Sequence, residues 1–278
     1  MNNRSAILGR LSPLAALGLL ILLVLVVVAL FAPYLAPYDP TAVRLAEGLA
    51  GPSITHPLGQ DKLGRDILSR IIYGARISLY VGVFTVVISA LVGTVVGAVA
   101  GFLGGIVDEL VMRLIDILLA FPGILLAIAV MAVLGPSLTN IVIALTVLGW
   151  VTYARLVRGQ VLALREFEFV QAARALGADT RRIIARHLVP NVLGPVIVQA
   201  TFGMAGAIVA EAGLSFLGLG TQPPTPSWGS MLNDGREFLL ITPHLTTFPG
   251  LAIMTVVLGL NFLGDGLRDI LDPRGRAI

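Results

Sequence analysis

The chain has 278 residues, 56% of them apolar and 13% charged, and its 31 glycines raise the apolar share to about 67% against about 45–50% for soluble domains counted the same way. With its charges gathered between long uncharged stretches, this composition excludes an ordinary soluble domain and defines an integral membrane protein. There is no cysteine for disulfides or thiolate metal sites, and the net charge of +3 rests on arginine, with Lys62 the single lysine, as a cytoplasmic loop bias produces without any nucleic-acid partner.

Met1–Pro13 contributes Arg4 and Arg10 and no acid, and the uncharged run Leu11–Tyr38 supplies a first span over about Leu14–Phe31. That run is longer than the roughly 7–15 residues of a signal-peptide core and has no small-residue cleavage site, so a retained span is expected. Pro33–Arg76 is a polar connection. Within it Leu63, Ile67, Leu68, Ile71 and Ile72 have helical spacing, with Arg65, Asp66, Ser69 and Arg70 on the other side, as in an interfacial helix leading into the second span. His56, Asp61 and Asp66 fit no metal-ligand spacing and are expected as capping groups.

Ile77–Val107 is uncharged, and Gly93, Gly97, Gly101 and Gly105 recur every fourth residue, so one helical face is nearly free of side chains and another helix can approach it closely. Packing within the chain and a subunit interface both fit that face. Asp108, Glu109 and Arg113 form a short charged turn before a third span, Leu114–Leu134, which Pro122-Gly123 should kink. Asp116 is expected to cap or snorkel near a membrane face. After the break Gly135-Pro136-Ser137, Leu138–Tyr153 is the fourth span.

Arg155–Pro190 holds seven arginines against Glu166, Glu168 and Asp179. Phe169, Ala172, Ala173 and Leu176 fall on one helical face, with Gln171 and Arg174 elsewhere, which predicts a short docking helix. Gly177 interrupts it and Asp179 can cap a second helix. Ile183, Ile184, His187 and Leu188 then make another apolar stripe, which Pro190 should stop. Asn191–Ala210 is the fifth span, with Gly203 and Gly206 as close-contact positions, Gln199 as an internal polar group and Glu211 at its boundary. Gly218–Thr247 reads as a surface or re-entrant loop anchored at the interface by Trp228 and Phe238, and Phe248–Leu263 is the sixth span. With both ends inside, thirteen Lys and Arg fall on the cytoplasmic side and six outside, so the positive-inside rule puts the arginine-rich connection in the cytoplasm.

The stretch VQAARALGADTRRIIARHLVPNV resembles the EAA loop of permease subunits of ABC importers. The pattern's slots are filled here by Gln171-Ala172-Ala173, Gly177, His187 and Val189-Pro190. Gln replaces the usual Glu, His an Ile and Val a Leu. HPLGQDKLGRDILSRIIYGARISL and LRDILDPRGR are similar to segments of the dipeptide, oligopeptide and nickel branch of these permeases, so the resemblance runs from about Leu58 to Arg276.

The resemblance implies an all-α, six-span type I importer permease fold with a cytoplasmic two-helix coupling loop over about residues 159–190. It implies three parts: residues 1–76 as N-terminal tail, first span and extracytoplasmic loop, 77–268 as the permease core, and 269–278 as a cytoplasmic tail. Gln171, Ala172, Ala173, Gly177, Ala178, Asp179, Arg182, His187 and Pro190 would form the ATPase-coupling loop. The implied partners are a second, homologous permease, two ABC ATPase subunits, an extracytoplasmic substrate-binding protein and membrane lipid, in a bacterial or archaeal plasma membrane with both termini cytoplasmic. The implied cargo is a dipeptide or oligopeptide, with nickel complexes, glutathione or glycosides as alternatives. No G-x-x-x-x-G-K-[ST] loop, G-x-S-x-G or H-E-x-x-H occurs, so no catalysis and no bound cofactor are expected, ATP and Mg²⁺ belonging to partner subunits. A secondary transporter or channel working alone would ordinarily show ionisable or broken-helix sites near the midplane, and the spans read as nearly free of ionisable groups.

Overall fold

The computed structural model describes residues 12–271; Arg4, Arg10 and the tail from residue 272, hence most of the expected 269–278 segment, lie outside the described residues. Helix α1, Pro13–Leu30, opens with a proline in its first turn and with Ser12 Oγ accepting the Ala15 N–H at 3.2 Å. Helix α2, Ile67–Leu103, is 37 residues long. At 1.5 Å per residue it spans about 55 Å against a hydrocarbon core of about 30 Å, so its ends project from the membrane. The expected separate interfacial helix is absent. Leu63 and Arg65 sit in the turn before Asp66, whose carboxylate caps α2 by accepting Ser69 N–H at 2.8 Å, and Ile67–Ile72 are the first turns of α2 itself.

A Cβ at Gly93 would stand 2.5 Å from Trp150 O, one at Gly97 3.0 Å from Ala154 Cα, and one at Gly101 3.0 Å from Arg158 O. The glycine face is therefore packed inside this chain, against helix α5, Leu138–Leu164. Gly105 does not belong to it: nothing lies within 4 Å of its position, and Gly104 and Gly105, both at positive φ, end α2 and turn the chain. Because successive glycines of α2 meet successive turns of α5, the two helices run parallel, and the chain between them must recross the bundle. It does so as α3, Gly105–Leu119, and α4, Gly123–Leu134, bent by 87°. The expected kinked span Leu114–Leu134 is thus a broken one that begins at Gly105. Pro122 has no N–H to offer and forces Phe121 away from helical geometry, so the α3 ladder ends instead of bending.

The fourth span runs on to Leu164, beyond the expected end at Tyr153, and so carries Arg155 and Arg158 on its helix. Arg158 clamps Asp108 with two hydrogen bonds of 2.5 and 2.6 Å, and Arg155 reaches Asp116 at 2.5 Å, which fastens α3 to α5. Two short helices follow, α6, Glu168–Ala175, and α7, Thr180–Ile183. A π-turn, Ile184–Leu188, leads directly into α8, Val189–Phe216. Pro190 does not stop the stripe. It lies in the first turn of α8, where the widened π-turn relieves the clash of its ring with the preceding carbonyls. Helix α9, Trp228–Gly235, and helix α10, His244–Leu271, complete the chain. The spans are α1, α2, the α3–α4 pair, α5, α8 and α10.

Ala15 lies against Gly266 and Ile21 against Gly259, so α1 and α10 are antiparallel, and the first and last described residues share the end of the bundle that carries α6 and α7. Residues 31–66 and 217–243 cover the opposite end.

Candidate functional site

The arginine-rich end is built on one cluster of buried apolar side chains. Val170 and Ala173 of α6, Ile183 of α7 and Leu188 of the π-turn pack onto Phe102 of α2 and Val157 and Val161 of α5. Arg174 lays its guanidinium 4.7 Å from the centroid of the Phe102 ring, a cation–π contact that pins α6 to the foot of α2.

Helix α6 ends in a glycine cap. Gly177 takes φ +79°, its N–H donates to Arg174 O at 2.9 Å, and the Ala178 N–H donates to Ala173 O at 3.0 Å. A side chain at position 177 would meet open space, so the glycine is required by its backbone angle and not by crowding. Asp179 then caps α7 by accepting the Arg182 N–H at 3.1 Å, as its place in the sequence predicts.

Three of the four residues of the predicted apolar face stay exposed. Val170 and Ala173 face inward, while Ala172 is exposed, Phe169 is 40% exposed and Leu176 is 88% exposed. Phe169 is steadied by Phe167, ring centroids 6.1 Å apart and nearly perpendicular, and by His187 at 6.4 Å. The outer surface thus gathers Gln171, Ala172, Gly177, Asp179 and Arg182, beside Phe169, Leu176, Arg181 and Arg186. Of the other expected site residues, Ala173 is buried, Ala178 and His187 are half-buried, and Pro190 is exposed one turn further on. Gln171 turns its amide back onto Glu166 O at 3.0 Å.

At the opposite end the residues expected on the polar side of an interfacial helix are buried. Arg65 Nε donates to Asp61 Oδ2 at 2.6 Å and its Nη2 to Asp234 Oδ2 at 3.2 Å, while Lys62 Nζ meets Asp234 Oδ1 at 2.8 Å. His56 Nδ1 lies 2.9 Å from Asp66 Oδ1, so these two and Asp61 serve as structural partners, and no group suited to a metal occurs among the described residues. The Gln60 amide donates to Glu47 and holds its carboxyl below the usual range, as the Thr41 hydroxyl does for Asp39. Trp228, expected at the membrane interface, is 2% exposed and donates its indole N–H to Ile71 O at 3.0 Å. Glu211, expected at a span boundary, is fully buried within α8, accepts Ser215 Oγ–H at 2.6 Å and pairs with no cation among the described residues.

Beside the α3–α4 break, a cavity of about 330 Å³ is lined by Thr85, Gly123, Leu148, Gly149, Gly203 and Gly206. Gly206 opens onto it with nothing within 4 Å, whereas Gly203 is a close-contact position against Tyr153 Oη.

A broken third span, a long parallel α2–α5 pair and a two-helix loop running into the fifth span define an all-helical, multi-pass membrane subunit, and sequence comparison identifies its family. Residues 93–277 match the family described as "Binding-protein-dependent transport system inner membrane component", and residues 10–52 match the "N-terminal TM domain of oligopeptide transport permease C". The chain belongs to this family, the multi-pass inner-membrane permeases of ABC importers, in its dipeptide and oligopeptide branch. Members work with a partner permease, with separate subunits that hydrolyse ATP, and with a substrate-binding protein.

Among individual relatives, a dipeptide transport system permease protein of Alkalihalophilus pseudofirmus is 50% identical over 261 residues, covering 94% of this chain and 86% of the relative. A glutathione transport system permease protein of Shigella flexneri serotype 5b is 51% identical over 248 residues, covering 89% of this chain and 82% of the relative. An inward-facing structure of the MetNI methionine ABC transporter has the same fold, with a TM-score of 0.58 at 20% identity, over 73% of this chain and 96% of that one.

Proposed function

We propose that this subunit forms half of the path of an importer for short peptides and that residues 165–190 couple it to an ATPase. One observation carries the coupling role. Phe169 and Leu176 stand exposed among arginines on a loop that is packed onto α2 and α5 and continuous with α8. Exposed apolar side chains on a polar, rigidly seated loop suit a groove in another protein. A push on α6 and α7 then reaches the membrane through the π-turn and α8 as one body. The loop and both termini lie in the cytoplasm under this reading, and residues 31–66 and 217–243 face the binding protein outside. The assembly is one copy of this chain, one homologous permease, two ATPase subunits and one binding protein. This chain holds no ATP, Mg²⁺ or other cofactor of its own.

The substrate assignment rests on relatives at about half identity whose names specify dipeptides and glutathione, both short peptides. Proteoliposomes holding the full assembly should accumulate a labelled dipeptide only with ATP inside the ATPase compartment and binding protein on the other face. Uptake without ATP would defeat the reading in favour of a stand-alone transporter. A cysteine at Ala178, in this Cys-free chain, should resist an impermeant reagent applied to intact cells; rapid labelling would invert the topology.

A further inference from the structure

Helices α9 and α10 are joined by the turn 236–243, and three large apolar side chains stand at its tip: Leu239 is 53% exposed, Leu240 98% and Ile241 77%. No charge falls among them, Arg236 and Glu237 stopping just short. The two aromatic residues expected to anchor this connection at the membrane do not reach out to it. Trp228 and Phe238 pack inward, on the cluster that holds Leu245, Val256 and Leu260.

The height of the tip follows from the helices. No charge lies between His244 and Asp265 in α10, and Asp265 is exposed at the end that carries α6 and α7. A hydrocarbon core takes up about 20 residues of helix, so counted back from Asp265 it ends near Leu245. Counted the same way from Ala15, which lies against Gly266, it ends on the α1 side near Leu35, where Phe31, Tyr34 and Leu35 are exposed. The tip therefore stands level with other exposed apolar and aromatic groups at one face of the membrane. Its backbone closes on itself. The Ile241 and Thr242 N–H groups both donate to Phe238 O, at 3.0 and 2.7 Å, so the turn can enter an apolar phase without stranding those donors.

We infer that Leu239, Leu240 and Ile241 insert into the phospholipid leaflet on the side away from α6 and α7, and pin the α9–α10 elbow to it. Apolar side chains this exposed are a liability in water, whereas at the boundary between headgroups and acyl chains they meet lipid tails. The tip runs within one turn into α10, a membrane span that itself shows Leu251, Met254 and Leu258 exposed. The elbow ends α9, whose Asp234 holds Lys62 and Arg65, so anchoring it also fixes the depth of that ion-pair network.

The chain has no cysteine, so a single nitrobenzoxadiazole label can be placed at Leu240→Cys in the assembled importer, in nanodiscs whose two faces are both open to solutes. Ile54, fully exposed two residues from His56 and beside the projecting start of α2, supplies Ile54→Cys as a control for the label's own affinity for lipid. Brominated phosphatidylcholine should quench the label at position 240 about threefold more than at position 54, and aqueous iodide should do the reverse. If either quencher acts equally at the two positions, or if position 240 is shielded from both, as under a partner protein, the inference is overturned.

Discussion

The two polar ends of this bundle handle charge in opposite ways. At the Asp61 end, acids and arginines are withdrawn from water and matched to each other across long stretches of chain, with Asp234 reaching residues of the 60s from α9. At the end that carries α6 and α7, Arg181, Arg182 and Arg186 stay exposed and form no ion pair among the described residues, and large apolar groups stay exposed with them. A network closed on itself stabilises one fold, whereas a surface left open among charges has its complement on another molecule. Substitutions at the first end should therefore unfold the subunit, and those at the second should leave it intact and uncouple it.

The largest effect is expected from Asp61→Ala. Asp61 accepts from Arg65 Nε and from the backbone N–H groups of Leu63 and Arg65, and it is the acid closest to Arg70. Its loss leaves two buried guanidinium groups without that partner, at a cost of about 3–5 kcal/mol. Membrane abundance and detergent melting temperature should both drop sharply. Normal levels of Asp61→Ala protein would show that the network is dispensable and would erase the contrast between the two ends.

A smaller effect is expected from Gly177→Val. The φ of +79° costs a β-branched residue about 1–3 kcal/mol, but the space around the position is open and the strain can be relieved by moving the loop alone. Abundance should stay near normal while uptake and ATPase co-purification are lost. Gly194→Ala, a helical site in α8 whose new Cβ would reach only to 4.0 Å from Leu271, should be milder on every readout. Failure of Gly177→Val through disappearance of the protein would remove the distinction.

The same contrast governs what could be read from the sequence. Gly177, the Asp179 cap and the Gly93–Gly97–Gly101 face were legible because each is a local rule about backbone angle, capping or close approach. Burial of Arg65 and Arg70 was not, since their environment depends on Asp234, 169 residues from Arg65. Glu211 read as a boundary residue because the expected span stopped at Ala210, whereas α8 runs on to Phe216 and places the Ser215 hydroxyl one turn further along the same buried helix. Pro122-Gly123 announced a bend, but whether it kinks one span or breaks it depends on α3 being held to α5 by Asp108 and Asp116. Ala173 falls in with Phe169, Ala172 and Leu176 in the sequence because helical periodicity finds apolar residues without distinguishing those that pack on Phe102 and Val161 from those left exposed.

Leu176 tests that last distinction with the smallest expected change in the subunit itself. At 88% exposure it contributes little buried area to this chain, and as the residue that follows α6 it supplies a backbone N–H to Ala172 O that any side chain leaves intact. Leu176→Asp should therefore shift stability by less than about 0.5 kcal/mol, the range of surface substitutions that touch no cap, core or network. In an apolar groove, by contrast, a carboxylate would be desolvated with nothing to pair it, which costs several kcal/mol and should abolish ATPase co-purification. Melting temperature and co-purification measured on the same preparation decide the matter. If Leu176→Asp melts normally and still brings down the ATPase, the exposed apolar face of this loop is not the contact, and docking must rest on its arginines.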